Sequence, residues 1–143
     1  MKIISAKNSD YKELMKLLSD FVGDKRYLKI GNDSFLKFLN NLNSYTYLLK
    51  DGKKLVGFIT FSIRNVIRYP RPIAEIEELY IVPHYRGKGL SEKLIKLALK
   101  KVKKIGCSRI YIGSEFKWKI AHKLYKNTGF KKVGYQFIKE LRK

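Results

Sequence analysis

A mixed α/β or α+β domain is the fold class this sequence predicts, and three observations predict it. Apolar residues recur at helical spacing in four segments; β-branched and aromatic runs of strand length separate them; one strand–turn–helix–strand passage lies in the middle. No linker, repeat or low-complexity tract divides the 143 residues, so a single domain covering residues 1–143 is expected.

The elements follow in order. "KIISAK" opens as a strand, and Asn8, Ser9 and Asp10 offer N-caps for a helix through "YKELMKLLSDFV", with Leu14, Leu17, Leu18 and Phe21 at helical spacing. Asn32 to Ser34 cap a second, short helix whose apolar side is Phe35, Leu36, Phe38 and Leu39. "SYTYLLK", the turn "DGKK" and "LVGFITFSIRN" read as a hairpin. "YPRP" interrupts, and "IAEIEELYIV" resumes as a third long strand ending at Pro83. A helix begins at about Leu90, lined by Leu90, Leu94, Leu97, Ala98, Val102 and Ile105, and Gly106 closes it. "SRIYIG" is a further strand and "KWKIAHKLYKNTG" a further helix; "FKKVG" and "YQFIKELRK" are expected to finish the chain as a hairpin.

Composition narrows the function. A single cysteine, Cys107, excludes an internal disulfide and fits a reducing, cytoplasmic setting. Two distant histidines and one cysteine supply no zinc cluster, so no metal is expected. No apolar run reaches membrane-spanning length, and "MKIISAKNSDYK" turns polar too early for a signal peptide. The net charge of +20 favours polyanionic partners, a phosphorylated small molecule, RNA or an acidic protein, unless the lysines are only a solvated surface.

The passage "YIVPHYRGKGLSEKLIKLALKK" places Arg86, Gly87, Lys88 and Gly89 where a strand hands over to a helix. Glycines there allow close backbone approach, and the following helix points unpaired N–H groups at whatever approaches, which suits an anion. Two phosphate motifs fail on spacing. A Walker A loop would need glycine at Val82 and Ser or Thr at Gly89; a dinucleotide fingerprint would need glycine at Glu92.

The pattern that fits is R-x-x-G-x-(G/A/S), realised as Arg86, Gly89 and Ser91, followed by "AHKLYKNTGFKKVGY" with Ala121, Leu124, Tyr125, Gly129 and Phe130. With these two motifs in this order, the chain resembles the GNAT superfamily of acetyl-CoA-dependent N-acetyltransferases over roughly residues 55 to 135. The resemblance implies a mostly antiparallel, twisted sheet of six to seven strands flanked by about four helices. It implies acetyl-CoA as cosubstrate, its diphosphate held by backbone N–H groups from Arg86 through Gly87, Lys88, Gly89 and Leu90 to Ser91. Ser91 stands where Gly or Ala is usual, and Trp118 where the second motif commonly carries asparagine.

Acetyl transfer to an alkylamine (pKa ~10.4) needs deprotonation costing on the order of 4–5 kcal/mol at neutral pH unless a base or buried site helps. The third long strand carries Glu75, Glu77 and Glu78, and regular alternation puts Glu75 and Glu77 on one face with Glu78 opposite. The resemblance assigns the base to this strand, to Glu77 ahead of Glu75, and makes Tyr125 the general acid near the thioester sulfur. It also implies carbonyl polarisation by backbone N–H groups near Ile81 and Val82. Cys107 reads as a structural thiol and His84 as a surface residue; His122 lies one turn before Tyr125.

The acceptor stays open: a small molecule, a protein amine or an aminoacyl group, with Asp20, Asp24 and Asp33 available to attract a cation. Nucleic acid is admitted as a partner without being required, no membrane is expected, and a homodimer is compatible. The competing reading is a non-catalytic basic module that uses the same fold to bind RNA or a protein, favoured by charge and disfavoured by the absence of a recognisable RNA-binding motif.

Overall fold

The computed structural model of the chain describes residues 1–29 and 31–142. The chain forms two compact units, Met1–Ile112 and Gly113–Lys143.

The first unit contains β1 (Lys2–Ser5), α1 (Tyr11–Val22), α2 (Asn32–Leu39), β2 (Ser44–Asp51), β3 (Lys54–Arg64), β4 (Ile73–Ile81), α3 (Leu90–Ile105) and β5 (Arg109–Ile112). Its sheet has the order β1-β2-β3-β4-β5. The first four strands are antiparallel neighbours, and β5 joins β4 in parallel. A parallel neighbour needs a long crossover, which α3 provides. The mixed, mostly antiparallel sheet and the four helices agree with the expected class; the strands among the described residues number five rather than six to seven.

Burial explains why these segments form these elements. In β3, Leu55 to Phe61 are all buried, as a central strand covered on both faces requires. One face of the sheet meets α1 and α2, where Leu14, Met15, Leu17 and Phe35 pack with Leu48, Leu55 and Phe58. Against β3 and β4 packs α3, with Leu94, Ile95 and Ala98 fully buried. Ile95, absent from the expected inner face, is among the least exposed residues of the chain. The caps differ slightly from expectation. Asn32 lies inside α2, with Gly31 before it, and Asn8–Asp10 form a 3-10 turn leading into α1.

Gly57 marks a close approach between β3 and β4. A Cβ added there would sit 2.6 Å from Ile81 Cδ1 and 2.7 Å from the Tyr80 carbonyl oxygen. Only glycine lets the strands meet at this separation.

In the second unit, α4 (Lys119–Asn127) stops at Gly129, whose φ of 96° suits a left-handed helix end. The Phe130 N–H donates to the Tyr125 carbonyl at 2.9 Å. The expected terminal hairpin is not formed: residues 130–142 carry no strand, and residue 143 lies outside the described residues. Val133, Phe137 and Ile138 are exposed, so the alternation in "YQFIKE" lacks the buried face that would fix a register.

No helix among the described residues is long and apolar enough to cross a membrane. Nor do three or more His, Cys, Asp or Glu side chains gather there in a way that could hold a metal ion.

One buried ion pair ties the start of α1 to the sheet. Asp10 is 7% exposed, accepts the Lys7 N–H at 2.8 Å and pairs with Lys50 Nζ at 2.9 Å. Burial pushes its carboxyl up, but the bonds to Lys50 and Lys7 outweigh that and hold it below its ordinary value. A lowered carboxyl stabilises the fold while ionised, and the contribution disappears as pH falls through the folded-state pKa. Asp10→Ala is expected to cost about 1–3 kcal/mol in urea unfolding at neutral pH, with a smaller difference from the parent chain in acid.

Candidate active site

The carboxylates of β4 depend on an irregularity in its ladder with β3. Ser62 pairs with Glu75 and Phe61 with Ile76, but Thr60 pairs with Glu78, leaving Glu77 as an extra residue. This is a β-bulge, and it corrects the expectation from regular alternation. Thr60 and Ser62, two apart on β3, share a face, so their partners Glu78 and Glu75 share it as well. The Ser62 hydroxyl donates to Glu77 Oε1, which brings the third carboxylate to that side. All three glutamates therefore converge.

Their surroundings differ. Glu75 accepts from Arg64 Nη1 at 3.0 Å, a pair that orients its carboxylate. Glu77 is exposed beside Ser62. Glu78 is half-buried, and its N–H donates to Thr60 Oγ1 at 3.0 Å. Burial pushes its carboxyl above the ordinary value; the Thr60 hydroxyl opposes this and the Glu77 charge adds to it. Of the three, Glu78 is the one whose environment favours holding a proton. Sequence reasoning set it aside because a bulge leaves no signal in an alternating pattern.

At the end of β4 the backbone divides its hydrogen bonds between two sides. The Val82 N–H donates to the Val56 carbonyl at 2.9 Å, so it is taken by the sheet. Alternation turns the Ile81 N–H away from β3, toward the side where pairing with β5 has already stopped at Ile76. Of the two expected donors near the reacting carbonyl, Ile81 has the free direction and Val82 does not.

A 3-10 turn, Pro83–Tyr85, then leads into the glycine loop. Gly87 and Gly89 have φ of 77° and 74°, the left-handed region where an L side chain is strained, and the space a Cβ would occupy is open at both. Gly89 is the N-cap of α3 and has no side chain to cap it. The first intrahelical bond runs from the Lys93 N–H to the Gly89 carbonyl at 3.2 Å, leaving the N–H groups of Leu90, Ser91 and Glu92 ahead of the ladder. Leu90, 6% exposed, fixes the helix start against the core. A 16-residue helix with an uncapped, glycine-lined start in front of open space fits a diphosphate.

The cations of the loop are positioned by aromatic rings. Arg86 Nε donates to the Ile81 carbonyl at 2.8 Å, and its guanidinium lies over Tyr80 at 5.4 Å. Arg86 thus braces the loop on β4. Lys88 lies over Tyr85 at 5.3 Å and Lys54 over the same ring at 5.8 Å. The Tyr85 hydroxyl donates to Asp51 Oδ2 at 2.7 Å, and that bond pushes the phenol up.

Asp24 is engaged by Arg26 at 2.6 Å and held below its ordinary value by it, while Asp20 and Asp33 are exposed on α1 and α2. Cys107 is half-buried and burial pushes its thiol up, as befits a structural thiol. His84 is exposed. In the second unit, Tyr125 is half-buried on α4, its ring 6.2 Å edge-on from Phe130, and burial pushes its phenol up. His122 Nε2 lies 2.9 Å from the Glu115 carbonyl, and Trp118, half-exposed, precedes the helix under Lys117.

Known proteins bear out the family resemblance. An aminoalkylphosphonate N-acetyltransferase of Salmonella typhimurium is 23% identical over 136 residues, covering 95% of this chain and 88% of that protein. The crystal structure of an aminoglycoside acetyltransferase from an uncultured soil metagenomic sample, in complex with sisomicin, superposes with a TM-score of 0.87 at 18% identity, covering 99% of this chain and 96% of that one. A ribosomal-protein-alanine N-acetyltransferase from Brucella melitensis gives 0.79 at 17% identity, with 99% and 100% covered. At such identities the two structures speak for the fold alone. Residues 11–130, most of the chain, match the acetyltransferase (GNAT) family, and this chain belongs to it.

Proposed function

We propose that the chain, residues 1–143 serving as a single acetyltransferase domain, transfers an acetyl group from acetyl-CoA to a primary amine. The observation that carries the reading is the pairing, within the first unit, of an uncapped glycine-lined helix start with a bulged strand of three carboxylates. When bound, the thioester supplies the activated acetyl group; the protein's own residues bind, orient and move protons.

The N–H groups of Leu90 and Ser91, with the loop backbone from Arg86 through Gly87, Lys88 and Gly89, hold the diphosphate. Lys88 adds charge, and Arg86 keeps the loop against β4. The Ile81 N–H donates toward the thioester carbonyl. Glu78 takes the proton from the acceptor ammonium, because its raised affinity for protons brings it closer to the amine than an exposed carboxylate would be. Glu77 and Glu75 attract the ammonium; Ser62 and Arg64 fix their orientation. Tyr125 donates a proton to the departing thiolate, and its raised phenol pKa keeps it protonated at neutral pH.

Several outcomes test this. Calorimetry should detect acetyl-CoA binding to the purified chain, and thiol should be released with a mixture of amines; a chain that binds no acyl-CoA refutes the proposal. Tyr125→Phe should lower turnover at least tenfold, ~1.4 kcal/mol in barrier, while acetyl-CoA binding survives. Glu78→Gln should reduce turnover and remove the acid limb of the pH profile, a limb set above the ordinary carboxylate range. The same variant should melt higher. A carboxyl raised by burial stabilises the fold only in its protonated form, below the unfolded-state pKa, and that contribution is lost as pH rises through the folded value. At neutral pH the parent chain therefore carries a buried charge that Gln removes. A Gln variant with full activity and an unchanged melting point would remove Glu78 from the mechanism.

A further inference from the structure

The face that carries the carboxylates continues across the sheet in two polar rows. Thr46 on β2 stands opposite Thr60, which stands opposite Glu78. Ser44 stands opposite Ser62, which stands opposite Glu75. Directly paired residues share a face, so these hydroxyls and carboxylates lie on one side of β2, β3 and β4. The neighbouring row, Leu48, Phe58 and Tyr80, belongs to the apolar cluster under α1 and α2.

One member of the polar rows is unexplained by the fold. Thr46 is 7% exposed, and among the described residues its Oγ1 has no hydrogen-bond partner. Valine would fill the same space without the desolvation penalty, and buried hydroxyls are nearly always bonded. Thr46 lines a cavity of about 180 Å³ at the place where β1 ends, together with Ser5, Ser44, Leu39, Tyr45 and Tyr47. That volume falls below the roughly 300–1,000 Å³ of a whole small-molecule site, so it suits one end of a ligand. No cation or carboxylate lines it. A phosphonate or carboxylate would lose its hydration there without a compensating charge.

We infer that the acceptor is an amine with a neutral, hydroxyl-bearing far end: the ammonium goes to Glu75, Glu77 and Glu78, and the hydroxyl end seats against Thr46 and Ser44. Thr46 and Glu78 lie two strand spacings apart, roughly 10 Å, which sets the distance between the two ends. The inference rests on the acetyl-transfer reading and deepens it by naming the acceptor class.

The test compares four amines of one chain length: hexylamine, aminohexanol, aminohexanoate and aminohexylphosphonate. With the parent chain, aminohexanol should exceed hexylamine in kcat/KM by about tenfold or more, and the two anionic amines should fall below hexylamine. Thr46→Val should bring the aminohexanol-to-hexylamine ratio close to one, and Thr46→Ser should restore it. Binding provides a readout that does not need turnover: aminohexanol should raise the melting temperature of the parent chain and not that of Thr46→Val. Equal treatment of aminohexanol and hexylamine, a preference for aminohexylphosphonate, or an unchanged ratio in Thr46→Val would each overturn the assignment. Such results with acetyl-CoA still bound and amines still acetylated would leave the acetyl-transfer reading standing. Loss of acetyl-CoA binding in the parent chain would defeat that reading instead, while the melting shift with aminohexanol would still decide the hydroxyl-end assignment.

Discussion

One extra residue in β4 determines what the carboxylate face can do. With a regular ladder, Glu78 would point to the α3 side of the sheet, where apolar residues close the core and an ionised group has no solvent. The bulge at Glu77 absorbs the offset. It keeps Ala74 and Ile76 buried on one face while directing Glu75, Glu77 and Glu78 to the other. Both ends of the strand keep the register their burial demands, and the unpaired residue joins the carboxylate face. The cost is concentrated in Glu78, which is partly desolvated beside another negative charge. Strain of this kind is what a proton acceptor needs and a purely structural strand would avoid.

The opposite end of β4 works through the direction of its backbone groups. Because β5 pairs only with Ile73 to Ile76, the later half of β4 is bonded to β3 alone. The Ile81 N–H is left on the open side, a short distance in sequence from an uncapped helix start. Gly57 permits this by letting β3 approach closely enough to hold Tyr80 and Ile81 from the other side. Strand end, glycine loop and helix start are therefore one continuous piece of backbone. Its free donors belong to positions where the regular structure has run out of partners.

Much of this was readable in the sequence, and the failures have physical causes. Periodicity located β2, β3, β4, α1 and α3 closely, because each buries a full face and the apolar spacing reports that directly. The glycine loop was readable because positive φ restricts residue choice at Gly87 and Gly89. The bulge was not: it changes which face a side chain occupies without changing which residues are apolar. Alternation therefore grouped Glu75 with Glu77 and left Glu78 opposite, and the resemblance put the base at Glu77 ahead of Glu75; Glu78 is the carboxyl that burial pushes up. Val82 was named as a donor beside Ile81 because the resemblance points to this strand end, and only the ladder shows its N–H engaged with Val56. The unpaired hydroxyl of Thr46 was likewise out of reach, since threonine in a strand is unremarkable until its neighbours are known. The closing segment had strand-like composition, but composition cannot supply a pairing partner or a face to bury.

The bond from Tyr85 to Asp51 has a mechanical consequence. Asp51 closes the β2–β3 hairpin and Tyr85 opens the glycine loop, and Lys54 and Lys88 lie near the Tyr85 ring from these two segments. Stiffening the loop must then also restrain the hairpin, a segment with no assigned contact to any ligand. Opening fluctuations of the two are linked, so occupancy at the helix start should be felt as slower amide hydrogen exchange around Lys53 and Lys54.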